Sequence, residues 1–130
     1  LNRELQKLYS GKEMDLPSVW SVQSAVHSGL YGAVFDLTCS FYQILIAESC
    51  RGFFAFKDQH GNYWAPKVLQ MGYVVSPEIM HIVTSLLCIF AAEESGDKCH
   101  NLVYIDGILA VAEQENHVED FRRALAKIAE

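Results

Sequence analysis

Basic residues are scarce in this chain. Ten lysines and arginines stand against 16 aspartates and glutamates over 130 residues, leaving a net charge of −6. That balance argues against autonomous tight binding of nucleic acid, which rests largely on basic contacts to phosphate. Any such role would draw most of its electrostatic attraction from elsewhere. Long apolar runs are also missing, so no membrane span is expected. Ile79 to Ala92 is apolar, but His81, Thr84 and Ser85 interrupt it, and it reads as a buried helix. The opening from Leu1 to Ser10 is polar and amphipathic and lacks the apolar centre of a signal peptide. Cys39, Cys50, Cys88 and Cys99 show no CxxC or other zinc spacing, and Cys99-His100 is a lone pair of potential ligands. They read as free thiols of a reducing, intracellular compartment, cytoplasmic or nuclear. There is no internal repeat and no low-complexity stretch. There is no initiator Met either, which reads as a fragment or an excised domain.

What is present is core. Hydrophobic residues make up 51% of the chain, enough for one domain over 1–130 and too many for disorder. Leu1 to Leu8 reads as a short helix or an extended segment, and Gly11 to Pro17 as a loop. Val19 to Ser28 reads as a helix, with Val19, Val22 and Val26 at helical spacing and Gly29 ending it. Tyr31 to Leu37 is a predicted strand. Ser40 to Ile46 begins with a helical turn and then extends. Phe53 to Lys57 and Tyr63 to Val68 form a hairpin around Asp58–Asn62. Pro77 suits the first helical position after Ser76, and Glu78 suits a positive helix N-terminus, so a helix runs to about Ala92. Leu102 to Ala112 reads as a hairpin centred on Asp106-Gly107, a dipeptide that favours tight turns. His117 to Ala129 is an amphipathic helix with Val118, Phe121, Leu125 and Ile128 on one face. This order predicts an α+β fold, a mainly antiparallel sheet with helices on one face.

Two segments stand out against that background. In Val34-Phe35-Asp36-Leu37-Thr38-Cys39-Ser40-Phe41-Tyr42-Gln43 and in Leu102-Val103-Tyr104-Ile105-Asp106-Gly107-Ile108-Leu109-Ala110, one acidic residue interrupts an apolar, strand-like run. Two carboxylates brought together from such runs can hold a hard divalent cation.

In these and other segments the chain resembles the fingers and palm of a reverse transcriptase, closest to the retrotransposon type. Leu1-Asn2 and Leu16-Pro17 look like that family's opening. Phe35-Asp36-Leu37 with Phe41-Tyr42-Gln43-Ile44 looks like its first catalytic motif. Ile46-Ala47-Glu48, Arg51 and Ala55-Phe56 look like the strand after it. Leu69-Gln70-Met71-Gly72 with Ser76-Pro77 looks like the segment supporting template and nucleotide. Tyr104-Ile105-Asp106-Gly107 looks like the tyrosine-x-Asp-Asp hairpin with its last Asp lost. Each match alone is generic, and their order along nearly the whole chain carries the signal.

The resemblance implies a palm fold with partial fingers and RNA-directed DNA polymerase activity. Its partners would be an RNA template, a DNA primer and deoxynucleoside triphosphates. Two Mg2+ (or Mn2+) ions about 3.5–4 Å apart would drive nucleotidyl transfer. Asp36 and Asp106 are the implied metal ligands and catalytic residues, with the backbone carbonyl of Leu37 as a further oxygen. Phe41 would gate against a ribose 2′ hydroxyl, or is a core aromatic. Gly72 would allow close approach of the nucleotide, or is a turn glycine. Gln70 and Met71 would lie near the template base or sugar, with Met71 otherwise core filler. Tyr104 would press on the primer end, or is a half-buried strand residue. Arg51 would touch template phosphate, or is a solvated surface residue. Gly107 removes one carboxylate, and Glu113 and Glu115 lie too far along to replace it. The fingertip hairpin, later palm, thumb and ribonuclease H of the family have no counterpart in this sequence. The expectation is therefore an impaired polymerase domain, or a catalytically dead one serving as a scaffold or binding module in a larger assembly.

Overall fold

The computed structural model describes residues 2–8 and 14–130. The described residues form a mixed α+β structure with antiparallel sheets. The helices are α1 (Asn2–Leu8), α2 (Val19–Ser28), α3 (Glu48–Arg51), α4 (Ser76–Glu94) and α5 (Glu115–Ala129). The strands are β1 (Tyr31–Asp36), β2 (Phe56–Lys57), β3 (Tyr63–Trp64), β4 (His100–Tyr104) and β5 (Gly107–Ala112). The backbone divides into two units. One holds α1 and Thr38–Ile79, and the other holds Met14–Leu37 and Met80–Glu130.

The second unit is built on a three-stranded sheet in the order β1-β5-β4, antiparallel throughout. The central strand alternates as its pleat requires. Ile108, Ala110 and Ala112 face one side, where they join Cys88 and Ala91 of α4 and Val118, Phe121, Ala124 and Leu125 of α5 in the core. The apolar face expected for the last helix is the one that is buried, and the helix starts two residues earlier, at Glu115. Phe35 of β1 continues the same side, its ring 5.9 Å from that of Phe121.

Val111 points to the other side of β5 and is also buried. Here the chain leaving α2 comes very close, and Leu30 N–H donates to the carbonyl of Ala112 at 3.1 Å. A Cβ at Gly29 would stand 2.1 Å from Val111 Cγ1, so only glycine fits. The sheet is therefore covered on both sides at this end, where helices on one face were expected.

Two helices bury less than their sequences imply. Val19, Val22 and Val26 of α2 lie in solvent, and Ala25 is the residue buried. The small side chain is the one that fits a helix lying near the sheet. In α4 the buried stripe is Ser76, Met80, Thr84, Cys88 and Ala91, while Ile82, Leu86, Ile89 and Phe90 are about half exposed. A helix packed on one side can bury only one stripe, whatever the rest is made of. By length and composition α4 is long and apolar enough to cross a membrane, a test that the core helix of a folded domain also passes.

The first unit holds the short β2–β3 hairpin, closed by Asp58. Its carboxylate accepts from the backbone N–H groups of His60 and Asn62 and from the indole of Trp64. The hairpin is much shorter than Phe53 to Lys57 and Tyr63 to Val68 would make. Glu48–Arg51 is helical and Gly52–Phe54 is a 3-10 turn, so the strand expected after the first motif is absent there. The Arg51 guanidinium donates to the carbonyl of Ile46 at 3.0 Å, which ties it to its own loop. After the turn at Ser40–Gln43, the chain from Ile44 to Ile46 pairs with Lys67 to Leu69.

Candidate functional site

The two singled-out acidic residues meet in the second unit. Asp36 is the last residue of β1 and lies directly opposite Gly107, the first residue of β5. Directly opposed residues of an antiparallel ladder have Cα atoms roughly 4.5–5.5 Å apart. Asp106 precedes Gly107 in the chain. Its carbonyl accepts the N–H of Leu37 at 3.3 Å, which fastens the end of β1 to the hairpin turn. Phe35 faces the core, so alternation sends Asp36 to the opposite side of the sheet, beside the 77% exposed Val34. Asp36 is exposed, Leu37 and Asp106 are half-buried, and Tyr104 is exposed at the end of β4.

The hairpin is not centred where its sequence indicates. Tyr104 pairs with Gly107, so the two loop residues are Ile105 and Asp106, one step earlier than Asp106-Gly107. Packing decides this. Ile108 is 1% exposed, and a one-residue slip would turn it out of the core. The consequence is a φ of 55° at Ile105, a β-branched residue in a region suited to glycine. Such a conformation costs about 1–3 kcal/mol and persists only where the surroundings enforce it. Part of that enforcement is visible: the Ile105 N–H donates to Nδ1 of His81 on α4 at 3.3 Å.

Gly107 itself is not required by the backbone. A Cβ there would meet the carbonyl oxygen of Tyr104 at 3.5 Å and that of Phe35 at 4.0 Å, both ordinary contacts. A side chain at this position would leave the strand directly across from Asp36. Glu113 lies beyond the far end of β5, roughly 20 Å from Gly107 by strand rise, and Glu115 opens α5. Neither can serve the Asp36–Asp106 end. Among the described residues, no group of three or more His, Cys, Asp or Glu side chains converges.

The remaining candidates belong to the first unit. Gln70, Met71 and Gly72 lead into a turn before α4. Gly72 has a φ of 95°, with open space where a Cβ would be, so the turn conformation explains the glycine. Met71 is 62% exposed and is not core filler. The fully buried Ser76 donates its hydroxyl to the carbonyl of Gln70 at 2.7 Å. Asn2 of α1 clasps the same turn, donating to the Gly72 carbonyl and accepting the Val74 N–H. Phe41, in the 3-10 turn, is half-buried. Sequence reasoning assigned no role to His81 or to the Asn2 side chain. Their bonds join residues 24 and 70 positions apart, and nothing local marks such pairs.

No protein-family model matches the chain, and no curated protein matches it. The candidate site therefore stands on its geometry and on the ordered motifs.

Proposed function

We propose that the chain is the palm and partial fingers of a reverse-transcriptase-like RNA-directed DNA polymerase. One observation carries this reading: Asp36 and Asp106 come together at one end of an antiparallel sheet, joined by the Leu37–Asp106 bond. Hard, anionic carboxylate oxygens suit Mg2+ or Mn2+. Mg2+ is commonly held by one or two carboxylates, with substrate phosphates completing its shell. In this reading Asp36 and Asp106 hold the cation, which supplies charge stabilisation to the transferring phosphoryl group. Tyr104 lies beside the primer end, and the Leu37 carbonyl adds an oxygen to the site. By the resemblance alone, Phe41 would limit the nucleotide sugar to its deoxy form, and Gln70, Met71 and Gly72 would contact template and nucleotide. RNA template, DNA primer and deoxynucleoside triphosphate are the substrates.

Gly107 supports a second reading, a polymerase-like scaffold whose site has lost a ligand. A net charge of −6 suits that reading too, because it disfavours nucleic acid as a freely held partner.

Primer extension on an RNA template with Mg2+ or Mn2+ separates the two readings. The protein is compared as it stands, as Gly107→Asp, and as Asp36→Asn. Activity that rises in Gly107→Asp and vanishes in Asp36→Asn, with the fold intact, supports the polymerase. Inactivity of a folded Gly107→Asp protein favours the scaffold. Activity unchanged in Asp36→Asn sinks the site assignment.

A further inference from the structure

The turn carrying Asp106 adopts a conformation that its own sequence disfavours, and one side chain from elsewhere holds it. β4 ends at Tyr104 and β5 begins at Gly107, so the Ile105 N–H lies outside the ladder. Its partner is Nδ1 of His81, at 3.3 Å. A ring nitrogen that accepts a backbone N–H carries no proton, which puts the imidazole proton on Nε2. His81 is half-buried and also lines an open groove of about 350 Å3 with Asp15, Ser21, Ser85 and Asn101. It sits on a long helix anchored in the core through Met80 and Thr84, 2% and 0% exposed. That anchorage gives it a fixed position from which to restrain the turn.

We propose that His81 is a positioning residue: by accepting the Ile105 N–H it keeps the strained turn in the one conformation that sets Asp106 beside Asp36. This inference rests on the reading of Asp36 and Asp106 as metal ligands. His81 itself does not touch the cation. It acts through the backbone of Ile105, and the loss of its acceptor lets the turn relax and the Asp106 carboxylate move.

The test uses the whole isotope-labelled chain, with Mn2+ as the probe. Amide exchange at Ile105 reports on the hydrogen bond. Paramagnetic broadening at Asp36 and Asp106 reports on the metal, and the Ile108 and Ala110 amides report on the folded sheet. In His81→Leu, Ile105 exchanges several-fold to about tenfold faster, as loss of one hydrogen bond allows, and Mn2+ affinity falls by a similar factor. In His81→Asn, whose Oδ1 can occupy the place of Nδ1, both return toward wild type. Should His81→Leu lose the folded-sheet signals, His81→Ala takes its place in the same comparison. Equal Ile105 protection in all variants overturns the proposal. So does an Mn2+ affinity that stays constant while protection is lost. A wild-type chain whose Asp36 and Asp106 amides do not broaden refutes the metal reading instead, and the Ile105 amide still tells whether His81 holds the turn.

Discussion

Asp36 faces Gly107 directly across the β1–β5 ladder, and a Cβ at Gly107 would meet nothing closer than 3.5 Å. Gly107→Asp is therefore sterically permitted and electrostatically costly. Two like charges opposed on a sheet destabilise it, here by up to about 1 kcal/mol in the metal-free chain. A cation bound between them reverses the sign by mass action. The expected result is a melting temperature below wild type in EDTA and a larger upward shift with Mn2+. Thermal melts of both proteins under both conditions check it, and an equal Mn2+ response in the two would remove Gly107 from the site.

The Asp58 carboxylate links the β2–β3 hairpin to pH. The Trp64 indole N–H is the main cause of its lowered pKa, helped by Asn62 and His60, and holds it at about 2 against an ordinary 3.8. A folded value below the unfolded one means that the stabilisation is fully present above about pH 3.8. It drains away as the pH falls from there toward 2. The Trp64 Nε1–H resonance should therefore titrate with a midpoint near pH 2, and Asp58→Asn should abolish the step. A midpoint near 4 would mean that the indole bond does not form in solution.

Thr84 is fully buried, and its hydroxyl oxygen has no hydrogen-bond partner among the described residues. An unsatisfied buried hydroxyl lowers stability, so removing it should help. Thr84→Val is expected to be neutral or stabilising by up to about 1 kcal/mol in denaturant melts. A clear loss of stability would show that the hydroxyl is paired.

The four thiols divide by burial. Cys39 and Cys50 are exposed, whereas Cys88 and Cys99 are buried. Burial pushes the Cys88 thiol up to about 11, and Cys99 is raised by burial with a smaller push from Asp120. Thiolate is the reactive form, so maleimide near neutral pH should label Cys39 and Cys50 promptly and the other pair only on unfolding. Mass spectrometry of the labelled peptides reads the order. Prompt labelling of Cys88 would contradict the packing of α4 against the sheet.

Elements whose pattern matches their packing were readable in advance. α2 takes the predicted bounds from Val19 to Ser28, started by Ser18 accepting the Ser21 N–H and ended at Gly29. α5 buries the predicted face because one clean stripe of Val118, Phe121 and Leu125 leaves no alternative. Where apolar residues surround a helix, as in α4, the pattern could not say which stripe would face the sheet. In the first unit, Phe53 to Lys57 looked like strand by composition. Two of its positions pair, because pairing depends on where the partner segment runs.

The sequence by itself determined the α+β class, the limits of α2 and the two acidic breaks, since each rests on local periodicity, capping or residue chemistry. The tertiary structure decided what those breaks amount to. It set the register that puts Asp36 opposite Gly107 and moved the turn back by one residue, because burial of Ile108 outweighs the turn preference of Asp106-Gly107. It also supplied His81 as the partner of Ile105 from 24 residues away. Local preferences amount to about a kilocalorie or two per mole, and a buried side chain in a packed core is worth more.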